Sequence, residues 1–260
     1  MKLQFIGTGS AFTVGVGNHQ SNMLFKSRTG RTLLLDCGTD VRLSLYELGL
    51  IYRDIDDVYI SHLHSDHVGG IEWLGFSTKY DPRCAKPIMY INEFICDDLW
   101  NHVLAGGMGA LQGGTGKLET FFTVQKLKRD GAFIWQGIEF KQVETIHIVN
   151  GPLITPSFGL AFTVNGHQTF LTTDSQYTPD HLAAAFAEAD LIFHDCEILK
   201  HRTGVHANYQ DLRTLDSKIK AKMWLYHYNP GQLPDAQADG FRGFVLKGQE
   251  FDLADPRIYS

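Results

Sequence analysis

The sequence predicts an α/β protein in which two β-sheets pack face to face between outer helices, a four-layer αββα sandwich. Short apolar runs typical of buried strands recur along the chain in two groups, and segments of helical character lie between them. The 260 residues, 43% of them hydrophobic, are enough for one large core or two fused half-cores, and no linker divides them. We therefore expect a single domain over residues 1–260.

The predicted elements follow one another along the whole chain. Strands are predicted at 2–6, 33–35, 58–60, 88–91, 133–140, 160–164, 168–172, 191–193 and 223–228. Helices are predicted at 39–50, 94–104, 179–189 and 208–219, and Asp180 and Asp211 lie early enough in the last two to favour a helix N-terminus. A glycine-rich insertion at about 104–116 fits neither pattern, so we expect no helix or strand there.

The composition limits the class of function. A formal net charge of −6 argues against a protein that mainly coats nucleic acid, because neutralising phosphates requires clustered Lys and Arg. No apolar run approaches the length of a membrane span, and the first strand begins at once instead of a signal peptide, so we expect a cytoplasmic protein. The cysteines form no CxxC pair and are expected to be free thiols: Cys37, Cys84, Cys96 and Cys196.

The most informative segment is 62–67, which follows the apolar run at 58–60 and contains His62, His64, Asp66 and His67. So many ionisable groups at the end of a strand cost free energy unless they are paired or bound to metal. His62 and His64 lie two apart on extended chain, so both rings can reach one ion, and the next two follow where the strand turns over. The segment predicts a metal site, with zinc favoured and manganese, iron or cobalt as alternatives.

This segment resembles the HxHxDH motif of hydrolases in the metallo-β-lactamase superfamily. Further ligands follow in a fixed order in that superfamily, and matching residues close or follow apolar runs here: His147, Asp174 and His227. The resemblance implies that His62, His64 and His147 bind one divalent transition-metal ion. It implies that Asp66, His67 and His227 bind a second, and that Asp174 bridges the two. It covers almost the whole chain, including the turn at 7–10 and the segment 36–38, and implies the αββα sandwich of that superfamily.

In such a site, a hydroxide that bridges two metal ions is the expected nucleophile, and Asp66 beside it can hold or accept its proton. The leaving group needs a proton from elsewhere. His206 lies in a segment that resembles the ribonuclease Z branch, where a histidine before the last metal ligand is the general acid. Glu197 is expected to orient that ring. The residues after His206 depart from the family pattern, and a solvent-exposed loop histidine is the alternative.

The general acid favours phosphodiester hydrolysis over the β-lactam, thioester and lactone chemistries of the superfamily. Ribonuclease Z would carry an extended basic arm for transfer RNA, whereas the insertion here is short and nearly uncharged. We therefore expect an enzyme that acts on a small substrate. In its length, its glycine-rich insertion and the segment 227–231 after the last ligand, the chain resembles cyclic-nucleotide phosphodiesterases of this branch, including the anti-Pycsar type. This resemblance implies a small nucleotide phosphodiester as substrate. We also expect a homodimer and no membrane partner, because Met108 and Leu111 in the glycine-rich insertion would be exposed unless a partner subunit or a bound base covers them. The alternatives are a ribonuclease Z-like endonuclease that processes transfer RNA 3′ ends and a non-catalytic binding module.

Several other side chains have two interpretations. Asp36 either orients a ligand histidine or is an ordinary turn carboxylate, and Asn18 and His19 either face the metals or cap a turn. The insertion at 104–116 is either a plain surface loop or a lid or subunit contact that closes over ligand. Four aromatic residues could stack on a nucleobase or belong to the core: Phe76, Tyr80, Tyr228 and Phe241.

Overall fold

The computed structural model describes residues 1–14 and 17–259, which form two large sheets with helices outside them. The strands are β1 (Lys2–Phe5), β2 (Met23–Lys26), β3 (Thr32–Leu35), β4 (Asp57–Ile60), β5 (Ile88–Asn92), β6 (Ala110–Leu111), β7 (Gly114–Thr115), β8 (Thr123–Leu127), β9 (Ala132–Trp135), β10 (Ile138–Asn150), β11 (Leu153–Val164), β12 (His167–Leu171), β13 (Leu191–Asp195), β14 (Met223–Tyr226), β15 (Gly243–Phe244) and β16 (Glu250–Asp252).

The helices are short, and most lie between the strands. They are α1 (Val41–Glu47), α2 (Ser65–Val68), α3 (Ile71–Tyr80), α4 (Glu93–Asp98), α5 (Ala105–Met108), α6 (Leu118–Phe121), α7 (Ala183–Glu188), α8 (Tyr209–Leu212) and α9 (Ser217–Lys220). A π-helical turn covers Leu99–Leu104, and 3₁₀ turns cover Tyr52–Asp54 and Pro256–Tyr259. Within the two described ranges, no helix combines the length and apolar character needed to cross a membrane.

Each large sheet has an antiparallel and a parallel part. The first has the strand order β16-β1-β2-β3-β4-β5-β8, and the second has the order β15-β14-β13-β12-β11-β10-β9. Strands β3, β4, β5 and β8 are parallel in the first sheet, and β12, β13, β14 and β15 are parallel in the second. Loops at the carboxyl ends of parallel strands are where open α/β sheets build their sites. This arrangement locates the candidate site.

The two sheets pack on each other through aromatic side chains. The ring centroids of Phe5 and Phe193 are 5.1 Å apart, and those of Phe25 and Phe140 are 5.4 Å apart, both at angles typical of aromatic contacts. A second apolar cluster lies between the second sheet and its outer helices and includes Phe186 and Leu212. The order of layers is therefore helix, sheet, sheet, helix, and the predicted αββα sandwich is confirmed.

The largest error in the predicted strands concerns β9 to β11. The sequence suggested one strand at 133–140, but the chain turns at Gln136 and Gly137, which both have positive φ, at 51° and 78°. A two-residue turn of this kind joins antiparallel strands, and here it starts the long strand β10. Strands β10 and β11 then form a hairpin with an irregular register between Ile146 and Ile148. Charged residues on the exposed face of β10 hid its pattern.

The predicted helices were right only in part. The helix expected at 208–219 is divided into α8 and α9, because the Asp216 side chain accepts a hydrogen bond from the Lys218 amide and so caps a new helix. Helix α3 was not predicted, although it buries Ile71 and Leu74 directly after the metal-binding segment.

The expectation that the glycine-rich insertion forms no helix or strand was wrong. Residues Ala105–Met108 form a helical turn, and Ala110–Leu111 pairs with Gly114–Thr115. The Met108 side chain is buried, and a Cβ built on Gly75 would lie 2.8 Å from its Cε atom. Glycine at position 75 therefore permits a close approach. Met108 is covered by its own chain, so it needs neither a bound base nor a partner subunit.

We expect Met108→Ala to lower the free energy of unfolding by about 2–5 kcal/mol, because it leaves a cavity beneath the insertion. Urea unfolding measures the change. The control is Ile134→Ala, whose side chain is 71% exposed and whose loss should have little effect. Equal stability of the two variants would show that the insertion packs loosely.

Candidate metal centre

Seven polar side chains from four segments meet at the carboxyl ends of the parallel strands. They are His62, His64, Asp66 and His67 after β4, His147 in β10, Asp174 after β12, and His227 after β14. Their ligand atoms form two groups, each within 4.8 Å: His62, His64, His147 and Asp174, and Asp66, His67, Asp174 and His227. Asp174 belongs to both groups. The structure therefore brings together the whole set that the sequence nominated, in the predicted grouping.

The first group converges on one point. His64 Nδ1 lies 3.1 Å from His62 Nε2 and 3.0 Å from His147 Nε2, and Asp174 Oδ2 is 3.6 Å from both of those Nε2 atoms. Zinc–nitrogen bonds of about 2.0–2.1 Å in a tetrahedral site place neighbouring ligand atoms about 3.3 Å apart. The observed spacing is therefore that of ligands around a single ion.

The second group is buried, and its ligand atoms lie close to one another. Asp66 Oδ2 is 3.1 Å from His67 Nε2, which lies 3.3 Å from Asp174 Oδ1, and His227 Nε2 is 3.4 Å from Asp174 Oδ2. Considering the described residues alone, Asp66 Oδ2, His67 Nε2, Asp174 Oδ1 and His227 Nε2 have no hydrogen-bond partner. A buried polar atom in that state costs about 1–3 kcal/mol. A cation would satisfy all four, so this group also fits a metal ion.

Outer contacts fix which nitrogen faces each group. Asp36 is fully buried in a left-handed conformation with φ of 62°, and its Oδ2 lies 2.7 Å from His67 Nδ1. The amide and hydroxyl of Ser61 also donate to this carboxylate. Because Nδ1 must carry the proton of that contact, Nε2 presents its lone pair to the group. Of the two interpretations of Asp36, the orienting one agrees with this contact.

His147 is held in the same way by a backbone carbonyl. Its Nδ1 lies 2.9 Å from the Val205 oxygen, which leaves Nε2 for the first group. Burial lowers the pKa of His147 to about 4, so its ring is neutral near pH 7 and available as a ligand. Residue 147 lies at the register irregularity of β10, which turns this ring from the strand towards the other ligands.

The second group has an excess of negative charge. Burial alone would lower the pKa of His67, but the carboxylates of Asp66, Asp174 and Asp36 outweigh it and raise the pKa well above its ordinary value. Burial also opposes ionisation of Asp174, yet His227, His67 and His62 hold its pKa well below the usual range. The pocket thus favours a positive charge at His67 Nε2, where a metal ion competes with the proton.

His206 lies beside both groups, as the sequence predicted. Its ring centroid is 5.3 Å from that of His147 and 5.0 Å from that of His227, and its Nδ1 lies 2.7 Å from Asp195 Oδ2. Burial lowers the pKa of His206, but the Asp195 carboxylate outweighs this effect and raises it to about 9. Asp195, His206 and His227 lie close enough together to hold an ion. The short contact between Asp195 and the His206 ring already accounts for this arrangement, because it orients the ring, so a third ion is not required.

The expected contact between Glu197 and His206 is corrected by the structure. The Glu197 carboxylate accepts hydrogen bonds from the Thr203 amide at 3.0 Å, the Thr203 hydroxyl at 2.5 Å and the Asn208 side chain at 3.0 Å. Glu197 therefore braces the loop that carries the histidine, and Asp195 contacts the ring. Sequence reasoning missed Asp195, although it is the last residue of a buried parallel strand, a position that often carries site residues.

The remaining candidates are structural. The Asn18 side chain accepts from the amides of Thr8 and His19, so it caps a turn, and the His19 ring lies 3.1 Å from Glu47. Tyr228 and Phe241 belong to the core, which is the second of their two interpretations, because both rings are buried. Phe76 packs against Phe121, and Tyr80 lies at the far end of α3. The four cysteines are free thiols, as predicted.

The two facing sheets, with the His/Asp cluster at the carboxyl ends of their parallel strands, define a protein of the metallo-β-lactamase fold. Three solved structures share this fold. The metallo-β-lactamase fold protein YhfI from Bacillus subtilis has a TM-score of 0.74 at 20% identity and covers 96% of this chain and 99% of its own. A diphosphatase of the PhnP family has 0.71 at 19%, covering 96% and 97%, and the short form of human tRNase Z has 0.69 at 18%, covering 97% and 99%.

The chain belongs to the anti-Pycsar protein Apyc1 family, and the sequence model of that family matches residues 1–251. An anti-Pycsar protein Apyc1 from Paenibacillus harenae is 34% identical over 230 residues, which are 88% of this chain and 90% of the relative. Relatives with the same description come from Saccharibacillus brassicae, at 32% identity over 97% of this chain and all of the relative, and from Bacillus phage vB_BsuM-Goe3, at 29% over 97% and 98%. The resemblance inferred from the motif is confirmed.

We expect Asp36→Asn to weaken metal binding about 10–100-fold, because a neutral amide makes His67 a poorer ligand. Asn tolerates the left-handed backbone of this position, so the fold should persist. Competition with a chelator measures the affinity, and the control is Asp98→Asn on the exposed face of α4. An unchanged affinity for Asp36→Asn, or an equal loss for both, would show that the Asp36 contact does not tune a ligand.

Proposed function

We propose that this chain is a metal-dependent phosphodiesterase that hydrolyses cyclic mononucleotides. The observation that carries the proposal is that two groups of metal-binding atoms share Asp174, with His206 beside them. Two metal sites and an adjacent proton donor form a combination suited to phosphodiester cleavage. The relatives named anti-Pycsar proteins support a cyclic nucleotide as substrate, and the diphosphatase and tRNase Z with the same fold support phosphoester chemistry in general.

In this proposal His62, His64 and His147 would hold one ion, and Asp66, His67 and His227 would hold the other, with Asp174 shared. The nitrogen-rich donor set favours zinc, and manganese is the alternative. When bound, two such metal ions would polarise the phosphoryl group and make hydroxide available near neutral pH. A homodimer and a cytoplasmic location remain predictions from the sequence.

The protein's own residues would manage the protons. Asp66 would hold the second ion through Oδ2, which is buried without a hydrogen-bond partner among the described residues, and its carboxylate would lie beside the attacking water, whose proton it can hold or accept. Asp195 holds His206 by Nδ1 and favours the protonated ring, which leaves Nε2–H to donate to the departing oxygen. Glu197 would act indirectly by fixing the loop around Thr203.

A substrate screen tests the proposed function. Metal-loaded protein is assayed on cyclic mononucleotides, on bis(p-nitrophenyl) phosphate and on precursor transfer RNA. We expect cleavage of the first two. Cleavage of precursor transfer RNA without cleavage of cyclic mononucleotides would favour the ribonuclease Z-like alternative, and no cleavage of any substrate by metal-loaded protein would favour a binding module.

We expect about two transition-metal ions per chain after purification without chelator, because the seven ligands are too many for a single tetrahedral ion. Elemental analysis measures the ratio. Asp174→Asn should lower the content at both sites, whereas Asp190→Asn, an exposed aspartate after α7, should not. A ratio near one with full activity would contradict the two-ion proposal.

We expect His206→Ala to reduce turnover of cyclic mononucleotides about 10²–10⁴-fold with metal content unchanged. The loss should be much smaller on bis(p-nitrophenyl) phosphate, because its leaving group scarcely needs a proton. His102→Ala, which changes a histidine in the exposed π-helical turn, is the matched control. Equal losses on both substrates, or loss of metal, would remove His206 from the role of general acid.

A further inference from the structure

Phe12 is almost fully exposed on a turn that hydrogen bonds close. Its side chain is 89% exposed, while the amide of Thr13 donates to the Ser10 carbonyl at 3.0 Å and closes the turn. The Gln20 side chain donates to the Ala11 carbonyl at 2.9 Å from the other side. The backbone of Phe12 is thus held between hydrogen-bonded neighbours, although its ring contacts mainly solvent.

This turn is attached to the segment that carries a proposed metal ligand. The Ser10 amide donates to the Tyr228 carbonyl at 3.1 Å, and the Tyr228 amide donates to the Thr8 carbonyl at 3.1 Å. The Asn229 side chain donates to the Ser10 hydroxyl at 3.2 Å. Tyr228 directly follows His227, a proposed metal ligand, and Phe12 lies two residues after Ser10, which is hydrogen-bonded to Tyr228.

The close folding of the turn depends on Gly9. A Cβ built there would lie 2.4 Å from Thr13 Oγ1, so a larger residue would force the turn away from the strand end. Burying a phenyl ring is favourable, and the free protein forgoes this gain at Phe12. A hydrogen-bonded turn that presents such a ring and is joined to the segment carrying His227 is suited to a flat ligand, because little order has to be imposed on binding.

We propose that Phe12 forms the base subsite of the enzyme, where its ring stacks on the purine or pyrimidine of a nucleotide whose phosphate lies at the metal centre. The inference rests on the proposed function and adds the residue that recognises the base. Of the aromatic residues that the sequence suggested for stacking, Tyr228 and Phe241 are buried in the core, so Phe12 is a new candidate. Stacking on an aromatic side chain needs only an exposed face, and Phe12 provides one.

The test compares a cyclic mononucleotide with an abasic analogue, the 3′,5′-cyclic phosphate of ribose that carries a methoxy group in place of the base. We expect Phe12→Ala to raise KM for the cyclic mononucleotide roughly 5- to 100-fold, the range that corresponds to the loss of one base–aromatic stack. KM and kcat for the abasic analogue, and the metal content, should stay unchanged. Phe12→Trp should restore KM, because the larger ring also stacks.

Tyr80→Ala is the matched control, since it removes another exposed aromatic ring, 63% exposed, at the far end of α3. An unchanged KM for Phe12→Ala, or an equal rise on the abasic analogue, would overturn the base subsite. A change from dimer to monomer in sedimentation would also overturn it and would assign Phe12 to a subunit contact. If wild-type protein binds the cyclic mononucleotide without cleaving it, the proposed function fails, and the ratio of Kd values between wild type and Phe12→Ala still tests the subsite.

Discussion

The structure depends on a concentration of buried polar groups that the protein alone does not neutralise. Asp66 and Asp174 are held away from water among imidazole rings. One oxygen of each carboxylate has no hydrogen-bond partner among the described residues, and neither does Nε2 of His67 or of His227. Charges buried in this way are costly unless a counter-ion joins them. The strand order brings the groups together, and the outer contacts hold the rings with their lone pairs inward. The proposed metal ions would account for these features together.

The imidazole rings of the proposed ligands are held in place by different contacts, so they differ in how easily they can move. His67 has a carboxylate behind it, His147 has a backbone carbonyl, and His62 has the hydroxyl of Ser61 at 3.1 Å. His64 is the exception, because it is exposed at the start of α2 and turns Nδ1 inward. A ligand with solvent on one side can move more easily than the others.

Much of the fold and of the site follows from the sequence, because both depend on local patterns. Parallel strands such as β4 and β13 are buried on both faces and stand out as apolar runs, and the ligands follow those runs. The long hairpin of β10 and β11 was obscured, because one face is solvated. Asp195 was missed for another reason: which carboxylate reaches His206 is decided by the path of a loop across two strands. Local sequence does not determine that path.

The last strand has a consequence for how the chain folds. After β15 completes one edge of the second sheet, the chain returns to the first sheet, where β16 pairs with β1 and Lys2 lies opposite Asp252. The edge of β1 therefore stays open until residues 250–252 have been synthesised, and contacts of such long sequence separation form slowly. We infer that the two halves fold as one cooperative unit. A nascent chain that stalls before β16 would expose a strand edge and be prone to aggregate.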